Sequence, residues 1–195
     1  MDGHVEPLRA ALFLIAGLAA AGIVHMAWLR SAWSSSLAIP LDGGRTVRGR
    51  RILGDNKMVR GFAVMIPASG MTFASLAWLL ADATMPPAGL WSLSVSGYAL
   101  LGVAAAFGFM AGELPNSFVK RQLDIAPGGT PRSRIAVGVA FVVDHVDSIV
   151  GMLAVVSLTV PTPLATWGWV LLLGPGIHLG FSVLLHRSAV KARAA

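Results

Sequence analysis

Asp144 and Asp147 stand three residues apart inside the apolar run IAVGVAFVVDHVDSIVGMLAVVSL. A carboxylate at the centre of a bilayer costs about 2.5 kcal/mol or more, so one kept there is paired, hydrated or bound to a cation. On a helix Asp144, Asp147, Ser148 and Gly151 fall at i, i+3, i+4 and i+7 and share a face. Two carboxylates placed so, about 5–6 Å apart at Cβ, can bind a hard divalent cation through oxygen. The plainer alternative is a structural pair neutralised by Arg or Lys from neighbouring elements. His145 lies about 100° around the helix from the pair, which predicts packing or support of a ligating residue rather than ligation itself.

A second block, GELPNSFVKRQLDIAPGGTPRSR, carries Ser117, Lys120, Arg121 and Asp124 at helical spacing on one stripe. A hydroxyl and two cations on one face suit a phosphate; a solvated interfacial helix snorkelling its cations is the alternative. Pro115 disfavours a helical Leu114 and predicts that the preceding helix ends near Glu113. A third block, DGGRTVRGRRILGDNKMVRG, alternates glycines with arginines, which permits tight turns beside charges that can bind phosphate. It is not a Walker loop, because Asp55, Asn56, Lys57 and Met58 stand where Gly-Lys-Ser/Thr is needed.

These blocks are held by membrane spans. With 55% hydrophobic and 12% charged residues and a mean hydropathy of +0.72, the 195-residue chain is too apolar for a soluble domain. The expected fold is all-α, a polytopic integral membrane protein with about five transmembrane helices near 10–29, 61–81, 88–111, 135–158 and 164–185. One membrane domain covers 1–195, with cytoplasmic loops near 30–60 and 112–134. Arg30, Arg45, Arg48, Arg50, Arg51, Lys57 and Arg60 follow the first span, and Lys120, Arg121, Arg132 and Arg134 follow the third. Arg187, Lys191 and Arg193 follow the last, whereas ADATMPPAG and TVPTP carry no basic residue. Basic loops stay cytoplasmic, which predicts the N-terminus outside and the C-terminus cytoplasmic, in a plasma or inner membrane. The net charge of +6 is therefore first a topology signal, and nucleic acid is not an expected partner. Asp2 and Glu6 ahead of the first apolar run argue against a cleaved signal. The absence of cysteine excludes thiol chemistry. Gly108 and Gly112, and Gly176 and Gly180, are spaced for close helix packing, more often within a monomer than between subunits.

Read together, LGDNKMVRGF, GELPNSFVKRQLDIAPG and FVVDHVDSIVG, in this order between apolar spans, resemble the CDP-archaeol synthase family within the wider group of CTP:phosphatidate cytidylyltransferases. The resemblance runs from Gly54 to Gly151. It implies a CTP-dependent cytidylyltransferase that activates a membrane lipid phosphate to a CDP-lipid with release of pyrophosphate, with Mg²⁺ at the site. It assigns Lys120, Arg121, Asp144 and Asp147 to catalysis, the two aspartates also to the metal. Asp55, Asn56, Lys57, Arg60, Glu113, Asn116 and Ser117 are assigned to CTP or the lipid phosphate. The chain departs from the family pattern at Met58-Val59, where Thr-Trp is usual, and at Gln122-Leu123-Asp124, where a basic residue and Gly are common. A homodimer is left open, as is the choice among ether-lipid, phosphatidate or other lipid phosphates.

Two other functions compete. CDP-alcohol phosphotransfer would need Asp-Gly-x-x-Ala-Arg, but Asp42-Gly43 is followed by Gly44-Arg45-Thr46-Val47. A small ion or lipid transporter could use Asp144 and Asp147 as an intramembrane cation site, but it leaves Ser117, Lys120 and Arg121 without a role.

Overall fold

The computed structural model describes residues 5–81, 87–127, 129 and 133–193, without the side chains of 178, 179 and 181–193. Arg132 and the side chains of His178, Arg187, Lys191 and Arg193 thus lie outside the described residues. Five long helices follow one another: α1 (Pro7–Leu29), α2 (Val59–Leu80), α3 (Val95–Gln122), α4 (Arg134–Thr159) and α5 (Leu164–Arg193). Between α1 and α2 lie a 3-10 turn at Ala32–Leu37 and a short hairpin, β1 (Thr46–Val47) with β2 (Arg50–Arg51). The molecule is a helical polytopic membrane protein. By length and composition α1 to α4 can each cross a membrane, and the shorter Leu164–Ile177 is the apolar part of α5 among the described residues.

Local sequence explains most boundaries. Pro7 opens α1, where its missing N–H costs nothing. Ser94 and Ser133 cap α3 and α4 by accepting from the backbone N–H of Gly97 and Ala136, both at 3.1 Å. The third span thus begins at Val95 rather than residue 88. Trp91 is instead an extended-segment anchor, with Nε1 donating to Pro161 O at 2.8 Å, and its own carbonyl accepts from the Tyr98 hydroxyl.

Pro115 does not end α3, which runs on through Lys120 and Arg121 to Gln122. Proline is tolerated inside packed membrane helices because neighbours and side chains satisfy the freed backbone groups. Much of the expected 112–134 loop is therefore a rigid extension of the third span.

The helices form a closed ring in which α3 packs against α2 and α4, α1 against α2 and α5, and α4 against α5. One half of the ring is solid. Phe13, Phe73 and Tyr98 meet edge-on or tilted at 5.2–5.3 Å between ring centres, surrounded by Leu14, Leu101 and Ala105. The other half encloses cavities.

Glycines set the spacing around them. A Cβ on Gly112 of α3 would stand 2.5 Å from the Asp147 carbonyl of α4, and one on Gly151 would collide with Gly108 and Gly112. The first GxxxG pair thus works inside the monomer. Gly176 and Gly180 do not, since a Cβ on either meets nothing within 4 Å among the described residues.

The 30–60 segment is organised around Asp42. Its side chain is buried and accepts from Arg51 Nη2 at 2.8 Å and Nε at 3.2 Å, from the Leu53 N–H at 2.9 Å and from the Gly44 N–H at 3.0 Å. The hairpin turn places Arg48 at φ 52° and Gly49 at φ 77°, the two left-handed positions of a tight two-residue turn. Arg50 then grips the end of α3, donating to Gln122 O and pairing with Asp124 at 2.5 Å. The glycine-arginine run is thus a docked structural loop, and Arg50 and Arg51 are engaged by carboxylates.

Candidate active site

A cavity of about 450 Å³ opens beside the cytoplasm-predicted ends of α3 and α4. Of the residues singled out by sequence, all but Asp55 and Arg60 line it. Asn116, Ser117, Lys120 and Arg121 come from the extended end of α3, Glu113 from the turn before Pro115, and Asp144 and Asp147 from α4. Asn56 and Lys57, and Ala126, Pro127 and Gly129, complete the lining.

Asn116 ties the two aspartates together. Its amide nitrogen donates to Asp144 Oδ1 at 2.6 Å and to Asp147 Oδ2 at 2.8 Å, so the two carboxylates converge on one point. Lys120 Nζ sits on Asp144 at 2.5 Å, with the Asp144 side chain 39% exposed. Asp147 accepts through Oδ1 from the Ser148 N–H at 2.6 Å, which fixes its carboxylate. Glu113 pairs with Lys57 and accepts from the Ser148 hydroxyl at 3.0 Å. Ser117 is buried and accepts from the Gly54 N–H at 3.4 Å, joining the first loop to α3.

Arg121 is different. Its Nε and Nη1 are buried and have no hydrogen-bond partner among the described residues. Buried guanidinium nitrogens without an acceptor are costly, by about 1–3 kcal/mol for each unpaired polar group. The other two cations of the cavity, Lys57 and Lys120, are each held by a carboxylate.

Several expectations are revised. Asp124 leaves the Ser117–Arg121 stripe, because α3 ends at Gln122 and Asp124 turns to φ 57° to meet Arg50. Asp55 is exposed and pairs with Arg51 at 2.5 Å, while Arg60 lines a smaller neighbouring cavity. His145 packs on the Phe141 ring at 4.3 Å and its Nδ1 bonds the Phe141 carbonyl at 2.7 Å, away from the aspartates as its helical phase predicts. The cavity reaches Asp144 and leaves its carboxylate partly exposed, as a polar group inside an apolar span requires. Asp42 and Ser148 were legible only as a failed motif and a shared helix face, because their partners are remote in sequence or on another helix.

Comparison with known proteins fits this arrangement. A family model described as CarS-like, CDP-archaeol synthase, matches residues 31–193. The chain belongs to the CDP-archaeol synthase family. A CDP-archaeol synthase of Halobacterium salinarum is 37% identical over 169 residues, covering 78% of this chain and 81% of the relative. One from Thermococcus gammatolerans is 34% identical over 142 residues, 66% and 73% of the two chains. A solved structure described as an intramembrane enzyme for archaeal membrane lipids biosynthesis has the same fold, with a TM-score of 0.62, 24% identity and coverage of 93% and 98%. As a CDP-archaeol synthase family member the protein is a membrane nucleotidyltransferase, and the docked hairpin and α3 extension both lie inside the matched region.

Proposed function

We propose that the enzyme transfers CMP from CTP to the phosphate of a membrane lipid, producing a CDP-lipid and pyrophosphate. The observation that carries this reading is Arg121, whose buried Nε and Nη1 lack any acceptor among the described residues in a polar cavity where the other cations are engaged. An anion belongs beside it.

In the reaction an oxygen of the lipid phosphate attacks the α-phosphorus of CTP. The bond from that phosphorus to the bridging oxygen breaks, and pyrophosphate leaves with the electron pair. The nucleophile is already anionic near neutral pH, since the second phosphate pKa is about 6, so no protein base is needed. Arg121 and Lys120 bind the phosphates that gain charge. Ser117 offers its hydroxyl proton to a phosphate oxygen, and Lys57 is shared between Glu113 and incoming phosphate.

The cavity's charged side chains balance, with Lys57, Lys120 and Arg121 against Glu113, Asp144 and Asp147. A triphosphate entering there needs additional positive charge. Among the described residues no three His or acidic side chains cluster for a metal, but the two convergent aspartates fit Mg²⁺, which takes one or two carboxylates and fills its sphere with phosphate oxygens and water. Held by Asp144 and Asp147, Mg²⁺ would supply charge neutralisation at the phosphates.

The relatives' names point first to an ether-linked isoprenoid glycerol phosphate as acceptor. Five spans, with the N-terminus outside and the active site facing the cytoplasm, agree with the basic loops and with cytosolic CTP.

The test is purified protein in detergent with labelled CTP, Mg²⁺ and a panel of ether-linked and acyl lipid phosphates. A CDP-lipid product that Asp147→Asn abolishes is expected. Full turnover in Asp147→Asn would remove the metal assignment, and an absence of CTP binding would overturn the reaction.

A further inference from the structure

Glu113 belongs to three cavities at once. Beside the polar cavity lies a second of about 150 Å³, reached by Lys57, Arg60 and His25. The third, about 340 Å³ and largely aliphatic, lies in the middle of the helix ring between Leu18, Met65, Met152 and Ile177, and His25 lines it too. His25 thus stands where a cationic chamber meets an apolar one, on the last turns of α1.

Its Nε2 is buried and has no hydrogen-bond partner among the described residues. Buried polar atoms are nearly always paired, so an exception at a cavity junction calls for a ligand. The chemistry around it selects that ligand. Arg60 and Lys57 favour a phosphate, and the aliphatic chamber beyond favours a hydrocarbon chain attached to it. Gly22 widens this chamber, since a Cβ there would meet nothing within 4 Å.

We propose that His25 binds the head of the lipid acceptor, donating from Nε2 to a phosphate or glycerol oxygen, while the chain lies in the apolar cavity past Gly22. This rests on the proposed transfer reaction, and it assigns Arg60 to the lipid side while Lys120 and Arg121 serve CTP. The sequence shows His25 only as an isolated interruption of an apolar run.

The test compares wild type, His25→Phe, His25→Gln and Gly22→Leu in detergent. Binding is read as ligand-induced thermal stabilisation by an ether-linked isoprenoid glycerol phosphate, by glycerol phosphate lacking chains, and by CTP with Mg²⁺. Turnover is read as separate KM values for lipid and CTP. His25→Phe should raise the lipid KM about tenfold, the scale of one hydrogen bond to a charged group, with the CTP KM unchanged. His25→Gln, which keeps a donor, should recover most of that loss. Gly22→Leu should weaken the lipid only, and chainless glycerol phosphate should stabilise none of the four. Unchanged lipid affinity in His25→Phe, or an equal loss of CTP affinity, overturns the assignment. Wild type that binds the lipid but forms no CDP-lipid overturns the transfer reaction instead, and leaves His25 to be decided by the binding series.

Discussion

At the scale of single residues, two of the cavity's cations are matched to carboxylates, while Arg121 and Asp147 stand outside those pairs. Lys120 is held by Asp144 and Lys57 by Glu113, so replacing either lysine also frees a carboxylate, which then repels phosphate. Among the described residues Nε and Nη1 of Arg121 have no such partner, and its removal reads more cleanly. Arg121→Ala should lower kcat/KM for CTP by about 10²- to 10³-fold, the loss typical of a donor aimed at developing charge. Arg121→Lys should recover only part of it, because a point charge replaces a planar fork. Steady-state kinetics on folded, monodisperse protein checks both. Much of this site is legible in the sequence, because Asp144 with Asp147 and Lys120 with Arg121 announce their shared faces through helical spacing. The isolation of Arg121 is not, since an unpaired group is defined by what every other element fails to supply.

At the scale of elements, two joints hold the site. The first is the glycine contact between α3 and α4, where Gly112 faces the backbone of Asp147. Gly112→Ala should push the helices apart, cost about 1–3 kcal/mol of stability as overpacking does, and impair turnover although no polar group is lost. A lowered thermal midpoint together with reduced kcat is the expected pair of readings.

The second joint is the docked hairpin. Gln122 and Asp124, departures from the family pattern, are the residues that receive it, through Arg50 and through Gln122 Nε2 on the Arg51 carbonyl at 3.2 Å. Arg51 beside Asp42 holds that carboxyl down at about 2, helped by the Leu53 and Gly44 N–H groups. A depressed carboxylate stabilises fully above its unfolded value, about 3.9, and the contribution is lost as pH falls through the folded value. Loop protection from protease should therefore hold down to about pH 4 and fail toward pH 2, and Asp42→Asn should weaken it already at pH 7. The first four spans were legible from hydropathy, but α3 was shifted. Trp91 and Leu93 are apolar without being helical, and Pro115 breaks a local rule that packing overrides.

At the scale of the whole molecule, a ring solid in one half and hollow in the other gives the chain both an anchor and a chamber. The polar chamber is electrically balanced before substrate arrives, so CTP affinity should depend steeply on a divalent cation. Titration of CTP in EDTA against the same titration in Mg²⁺ should show binding only in the second, and Asp144→Ala should bring the two curves together.

The meeting of three cavities at Glu113 fixes how the reaction is timed. On the proposed reaction, a water-soluble nucleotide in the polar cavity and a membrane-borne acceptor in the apolar one would meet at Glu113 from different sides. Initial-rate plots should therefore give intersecting rather than parallel lines, the signature of a ternary complex without a nucleotidylated enzyme. On the same reading, a lipid product with its chain in the inner chamber would leave into the bilayer while pyrophosphate returns to water.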